Sequence, residues 1–118
     1  MTEMTNKVSV ARAGIENLTP GEVRAELDSG TVVLIDVRES TETIAGVIAG
    51  AVLVPRGILE FWAGDGLTTA DRRVIVCSST GLRSALAAQS LQELGYTDVA
   101  HLAGGIAAWT IAGFPLTC

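Results

Sequence analysis

The sequence predicts an α/β fold: a single domain with a central, mainly parallel sheet and helices on both faces. Three observations predict it. Short β-branched runs recur at Thr31–Asp36, Ala51–Val54, Arg73–Cys77 and Asp98–Leu102, and the first three are almost continuously apolar, as strands covered on both faces are. Segments of helical character separate them. No internal repeat, low-complexity tract or linker divides the 118 residues, a length that suits one domain with a modest core.

Element by element, residues 1–16 show no clear period and read as an N-terminal segment, frayed at its extreme end, ahead of a domain over 17–118. Thr19, Pro20 and Glu22 then form a helix start, with a hydroxyl cap, a proline in the first turn and a capping-box acid. Ser29-Gly30 ends that helix. The first core strand runs to Asp36, and a second covers Ala51–Val54. A short helical stretch, "ILEFWA", follows the second strand, and a long one, "RSALAAQSLQELG", follows the third with Leu86, Leu91 and Leu94 on its apolar stripe. The segment "GIAAWTIAG" closes on Gly113. In such sheets ligands gather beyond the carboxyl ends of the strands. Four features fall there: "DVR" (36–38), "PRG" (55–57), the loop after Cys77, and Gly104-Gly105.

Composition narrows the function classes. Apolar residues make up 48% and charged residues 18%, a globular balance and not a disordered one. A net charge of −5 argues against a nucleic-acid binder, although seven of the eight basic residues are arginines and leave room for a local cationic pocket. The two cysteines, Cys77 and Cys118, carry no zinc-like spacing and are too few for a disulfide framework. The first residues lack the basic-then-apolar pattern of a secretory signal, and the longest uncharged apolar run, Ile44–Pro55, is too short to span a bilayer. The reading is a cytoplasmic protein with free thiols, no membrane contact and no metal.

The chemistry-bearing stretch is "VIVCSSTGLRSALAA". Cys77 ends a strand; Ser78, Ser79, Thr80, Gly81 and Leu82 form a loop; Arg83 and Ser84 open a helix. Backbone N–H groups of such a loop, joined by the positive end of the helix, make a nest for an anion. The expectation is therefore that Cys77 is a thiolate with a depressed pKa. Arg83 would aim its planar guanidinium at a bound oxyanion, and Ser84 would offer a hydroxyl to the thiolate or cap the helix. The alternative is a plain buried cysteine at the end of a core strand.

These segments resemble the rhodanese-like domains, single-domain sulfurtransferases, over nearly the whole chain from Leu18. "VVLIDVRES" is similar to that family's first core strand, "AGVIAGAVLVPRGILEFW" to its second signature, and "HLAGGIAAW" to its Gly-Gly…Trp segment. The resemblance implies that Cys77 takes a sulfane sulfur from thiosulfate or another donor as a persulfide. A small acceptor such as cyanide or a thiol, or an acceptor protein, would then remove it, without a cofactor. Two departures stand out. Val47 and Ala49 replace a histidine and a proline of the second signature. Common sulfurtransferase loops place four residues between cysteine and arginine, whereas "CSSTGLR" has five, the spacing of cysteine phosphatases on this fold and of related arsenate reductases. A cysteine phosphatase or arsenate reductase thus remains an alternative, as does a catalytically quiet binding domain.

Other residues have weaker claims. Asp36 and Arg38 read as a structural ion pair or as supports of the loop, and Arg56 as a recognition residue or a solvated one. Glu60 is the nearest acid in sequence terms, and Asp65 a turn residue. His101, the only histidine, reads as a surface or packing residue in the last strand. Trp62 and Trp109 read as core aromatics, and Cys118 as a tail thiol.

Overall fold

A computed structural model describes residues 2–118. Its helices are α1 (Glu3–Ala13), α2 (Pro20–Ser29), α3 (Ser40–Thr43), α4 (Leu59–Gly66), α5 (Leu82–Glu93) and α6 (Gly105–Ile111). Its strands are β1 (Glu16–Leu18), β2 (Val33–Asp36), β3 (Val52–Leu53), β4 (Val74–Cys77) and β5 (Val99–Leu102), with a 3₁₀ turn at Arg56–Ile58. The sheet order is β1-β5-β4-β2-β3, and all four pairings are parallel, as the alternating pattern predicts. Register sets Asp36 beside Cys77 at the carboxyl edge.

The period of two in β4 divides the core. Val74 and Val76 face one layer, where they meet Val8 and Ala11 of α1, Leu59 and Ala63 of α4, and Ala85, Ala88 and Leu91 of α5. Ile75 and Cys77 face the other, with Val23 of α2 and Ile106 and Trp109 of α6. Helices therefore cover both faces. The capping box is present as read: Thr19 Oγ1 accepts from the Glu22 N–H and the Thr19 N–H donates to the Glu22 carboxylate.

Residues 2–16 hold a helix and the start of a strand where the sequence shows no clear period. Thr2 caps α1, and the helix lies against α5 with Val8 and Ala11 buried. Only two buried positions in eleven residues leave no clear apolar stripe, which is why no period shows in the sequence. Glu16–Leu18 then joins the sheet through β5, too short a strand to show alternation. The last residues are also held: Val47 and Thr117 exchange both backbone hydrogen bonds.

Candidate active site

The site residues named from the sequence sit at or beyond the carboxyl ends of β2, β3 and β4. The loop Ser78–Gly81 leaves β4 and turns into α5 with Gly81 as N-cap at φ 95°, a left-handed conformation that favours glycine. From outside, α6 grips the loop. The Ile106 N–H donates to the Ser78 carbonyl at 2.9 Å and the Ala107 N–H to the Ser79 carbonyl at 3.0 Å. A Cβ on Gly105 would stand 2.5 Å from the Ser78 carbonyl oxygen, so this approach requires glycine there. The Gly-Gly segment is thus the clamp of the loop.

In a trans peptide the N–H points opposite to the carbonyl before it. With the Ser78 and Ser79 carbonyls turned out to α6, the N–H groups of Ser79 and Thr80 turn away from it, into the loop. Neither finds an acceptor among the described residues. The N–H groups of Gly81 and Ser84 do find one, and it is the Ser78 hydroxyl oxygen, at 3.2 and 3.1 Å.

The expected thiolate cradle is therefore occupied by a different side chain. Cys77 is fully buried and packs with Leu34, Ile75, Ala100 and Leu102 on the α2–α6 side of the sheet. Burial pushes its pKa far up, the Asp36 carboxylate beside it adds to the rise, and Arg38 only partly opposes it. Cys77 is held as a neutral thiol and does not receive the loop amides. The reason is parity: β4 puts residue 77 on the same face as residue 75, inside the core.

Arg83 also departs from expectation. Its guanidinium does not aim into the loop but meets Glu42 of α3 with Nη1 and Nη2 donating at 2.6 and 2.7 Å. That arginine draws the Glu42 carboxyl down to about 2, assisted by the Glu39 N–H, which donates to the same carboxylate. Asp36 and Arg38 form the structural pair the sequence suggested. Both are buried; Arg38 donates through Nε and Nη2 to the carboxylate, and through Nη2 to the Gly46 carbonyl. Arg56 bonds Glu60 and the Ser90 hydroxyl, which ties the 3₁₀ turn to α5. Leu82 and Thr80 are exposed at the rim.

Sequence reasoning missed a further contributor. His101 is buried, in line with the packing half of the sequence reading, and its Nε2 lies 2.7 Å from Asn17 Oδ1. The Asn17 amide nitrogen donates to the Arg12 and Ile15 carbonyls, so Oδ1 is free to accept and His101 carries its proton on Nε2. His101 Nδ1 then accepts from the Ser84 hydroxyl at 2.9 Å. Desolvation holds the histidine neutral, with its pKa lowered to about 4. The chain Asn17–His101–Ser84 braces the start of α5, and the Ser84 N–H is one of the two bonds to Ser78.

Among the described residues no group of His, Cys, Asp or Glu could hold a metal ion, and no helix is long and apolar enough to cross a membrane. The chain is matched over residues 19–112 by the family described as rhodanese-like domain. It is 40% identical over 93 residues to the probable adenylyltransferase/sulfurtransferase MoeZ of Mycobacterium tuberculosis, with 78% of this chain and 24% of that protein aligned. It therefore spans about a quarter of the length of that relative. A sulfurtransferase of Allochromatium vinosum is 33% identical, over 75% of this chain and 81% of its own length. Among solved structures, a Rhodopseudomonas palustris protein of unknown function, described as a possible tyrosine phosphatase, superposes with a TM-score of 0.91 at 34% identity, covering 99% of this chain and 96% of its own.

Proposed function

The chain belongs to the rhodanese-like domain family, and from that premise we propose that its Ser78–Arg83 loop is a sulfurtransferase-type site. The site binds the anion of a sulfane-sulfur donor such as thiosulfate at its loop amides. One observation carries the reading. The loop is pinned from outside by the α6 N–H groups and keeps the Ser79 and Thr80 N–H groups free on its inner side. Preorganised donors of this kind stabilise a sulfur anion without reorganising. Relatives named as sulfurtransferases support the same reading, in a reducing, cytoplasmic setting.

The sulfur carrier within that site has two candidates. One is Cys77 as a persulfide, which requires the loop to open and the thiol to leave the core. The other is a thiol at position 78, the seat the loop amides face, where this chain holds serine. The phosphatase alternative loses its main support, because the loop amides converge one residue later than the cysteine. Counted from Ser78, only Ser79, Thr80, Gly81 and Leu82 precede Arg83, and no widened ring remains.

Amide NMR during titration with thiosulfate tests the site. Shifts confined to Ser79–Arg83 and the first turn of α6 are expected. A titration that leaves those signals in place while others move would sink the proposal.

A further inference from the structure

We infer that Ser78, not Cys77, stands where this loop presents its nucleophile, so that the wild-type loop seats a sulfur anion without forming a persulfide, and a thiol at position 78 would form one. The inference rests on the sulfurtransferase-type site proposed above and names the atom that faces it. Three observations carry it.

The first is direction. Cys77 follows Ile75 into the core, whereas Ser78, equally buried, sits where β4 gives way to the loop and turns its oxygen to the loop amides. The second is solvation of the side-chain atom. The Ser78 oxygen takes the N–H groups of Gly81 and Ser84, the donors that would hold a thiolate or persulfide. The third is interval. Four residues separate position 78 from Arg83, the spacing of common sulfurtransferase loops, while position 77 gives five.

A serine in this seat is chemically silent toward sulfane sulfur. Its alcohol keeps its proton at neutral pH, and the one nearby base is committed: His101 Nδ1 already accepts from Ser84. A cysteine in the same place would meet two N–H donors and the N-terminal end of the twelve-residue α5, which together favour the thiolate. That thiolate attacks the outer sulfur of thiosulfate. A new S–S bond forms, the original S–S bond breaks, and sulfite leaves with its electron pair. Cyanide then takes the terminal sulfur as thiocyanate and returns the thiolate.

The test compares wild type with Ser78→Cys, both carrying Cys118→Ser so that the exposed tail thiol is absent. Each is incubated with thiosulfate, weighed intact and mapped by peptide mass, with iodoacetamide labelling as a second readout. The expected result is no added sulfur on wild type, one sulfur on residue 78 of the variant, and thiocyanate release when cyanide follows. One sulfur on Cys77 of wild type would overturn the inference and leave the site standing. A folded Ser78→Cys variant whose new thiol labels no faster than a denatured control would also overturn it, since the loop would not present that buried atom as a reactive thiolate. A variant that labels fast and yet takes no sulfur would instead overturn the sulfurtransferase-type site itself.

Discussion

The two ends of β4 solve the same electrostatic problem in opposite ways. At the amino end, Arg73 binds Glu16, Glu26 and Asp98 at 2.7, 2.7 and 3.0 Å, and three carboxylates, from β1, α2 and the turn before β5, close round one cation. Its own pKa is driven up, chiefly by the hydrogen bond to Glu26, whose pKa falls in turn. At the carboxyl end, Arg83 meets a single carboxylate at the rim, and the loop behind it keeps backbone donors unpaired. One end is finished as structure. The other holds donors in reserve: among the described residues the N–H groups of half-buried Ser79 and exposed Thr80 have no protein acceptor and are left to solvent or a ligand.

The largest effect should come from beneath the reserved end. Asp36→Ala leaves the Arg38 guanidinium buried without its carboxylate, and breaking such a pair costs about 3–5 kcal/mol. Urea unfolding should show that loss, and the Ser78→Cys protein carrying it should no longer load sulfur under mild denaturant. A loss below about 1 kcal/mol would mean that the pair is not the foundation of this edge.

Next in size is an acid effect that runs through His101. Its folded pKa of about 4 lies below the ordinary 6.5, so the unfolded chain binds the proton more readily. Stability from this group is complete above pH 6.5, falls as pH drops toward 4, and is spent below that, in total roughly 3 kcal/mol. His101→Gln keeps one donor and one acceptor for Asn17 and Ser84 but cannot titrate. Its stability should be flat between pH 6.5 and 5 where wild type declines, and parallel curves would assign the decline elsewhere.

Arg73→Met sharpens the contrast between the ends. It keeps most of the stem and removes the charge shared by three carboxylates, two of which are largely exposed. A stability loss of about 2 kcal/mol is expected, discounted for solvent screening. Sulfur loading of Ser78→Cys should be unchanged, because no contact of Arg73 reaches the loop. A drop in loading without unfolding would show the ends to be coupled.

The same contrast explains what could be read beforehand. β2, β4 and the capping box are local patterns, and each was legible. Helix α1 was not, since its stability comes from docking two small buried residues on α5 and not from a stripe of its own. The loop and the helix that follows it were legible from Gly81 and Arg83. Which residue faces the loop was misread, although one signal existed: the four-residue interval counted back from Arg83 lands on Ser78, whereas β4 is apolar on both faces and shows no alternation. Contacts spanning long stretches of chain, Arg83 to Glu42 and His101 to Asn17, leave no periodic trace and had to be seen in the fold.

The smallest stability effect belongs to Glu42, and it decides what the reserved end is waiting for. Both partners of the Arg83–Glu42 pair are about one-third exposed, so Glu42→Gln should change stability by less than about 1 kcal/mol. Its effect on ligands should be larger. The carboxylate engages both terminal nitrogens of Arg83 and so stands where an incoming oxyanion would bind. With a pKa of about 2, Glu42 stays ionised over any pH at which the protein is used, and protonation cannot release Arg83. Only a competing anion can. Removing the charge should therefore tighten binding of sulfate or thiosulfate by roughly tenfold, equivalent to about 1.4 kcal/mol. Calorimetric titration of sulfate into both proteins reads the sign directly. Tighter binding means that Glu42 is a stand-in anion holding the site shut. Weaker binding would mean that it aims Arg83 for the ligand, and that the vacant amides alone are the seat.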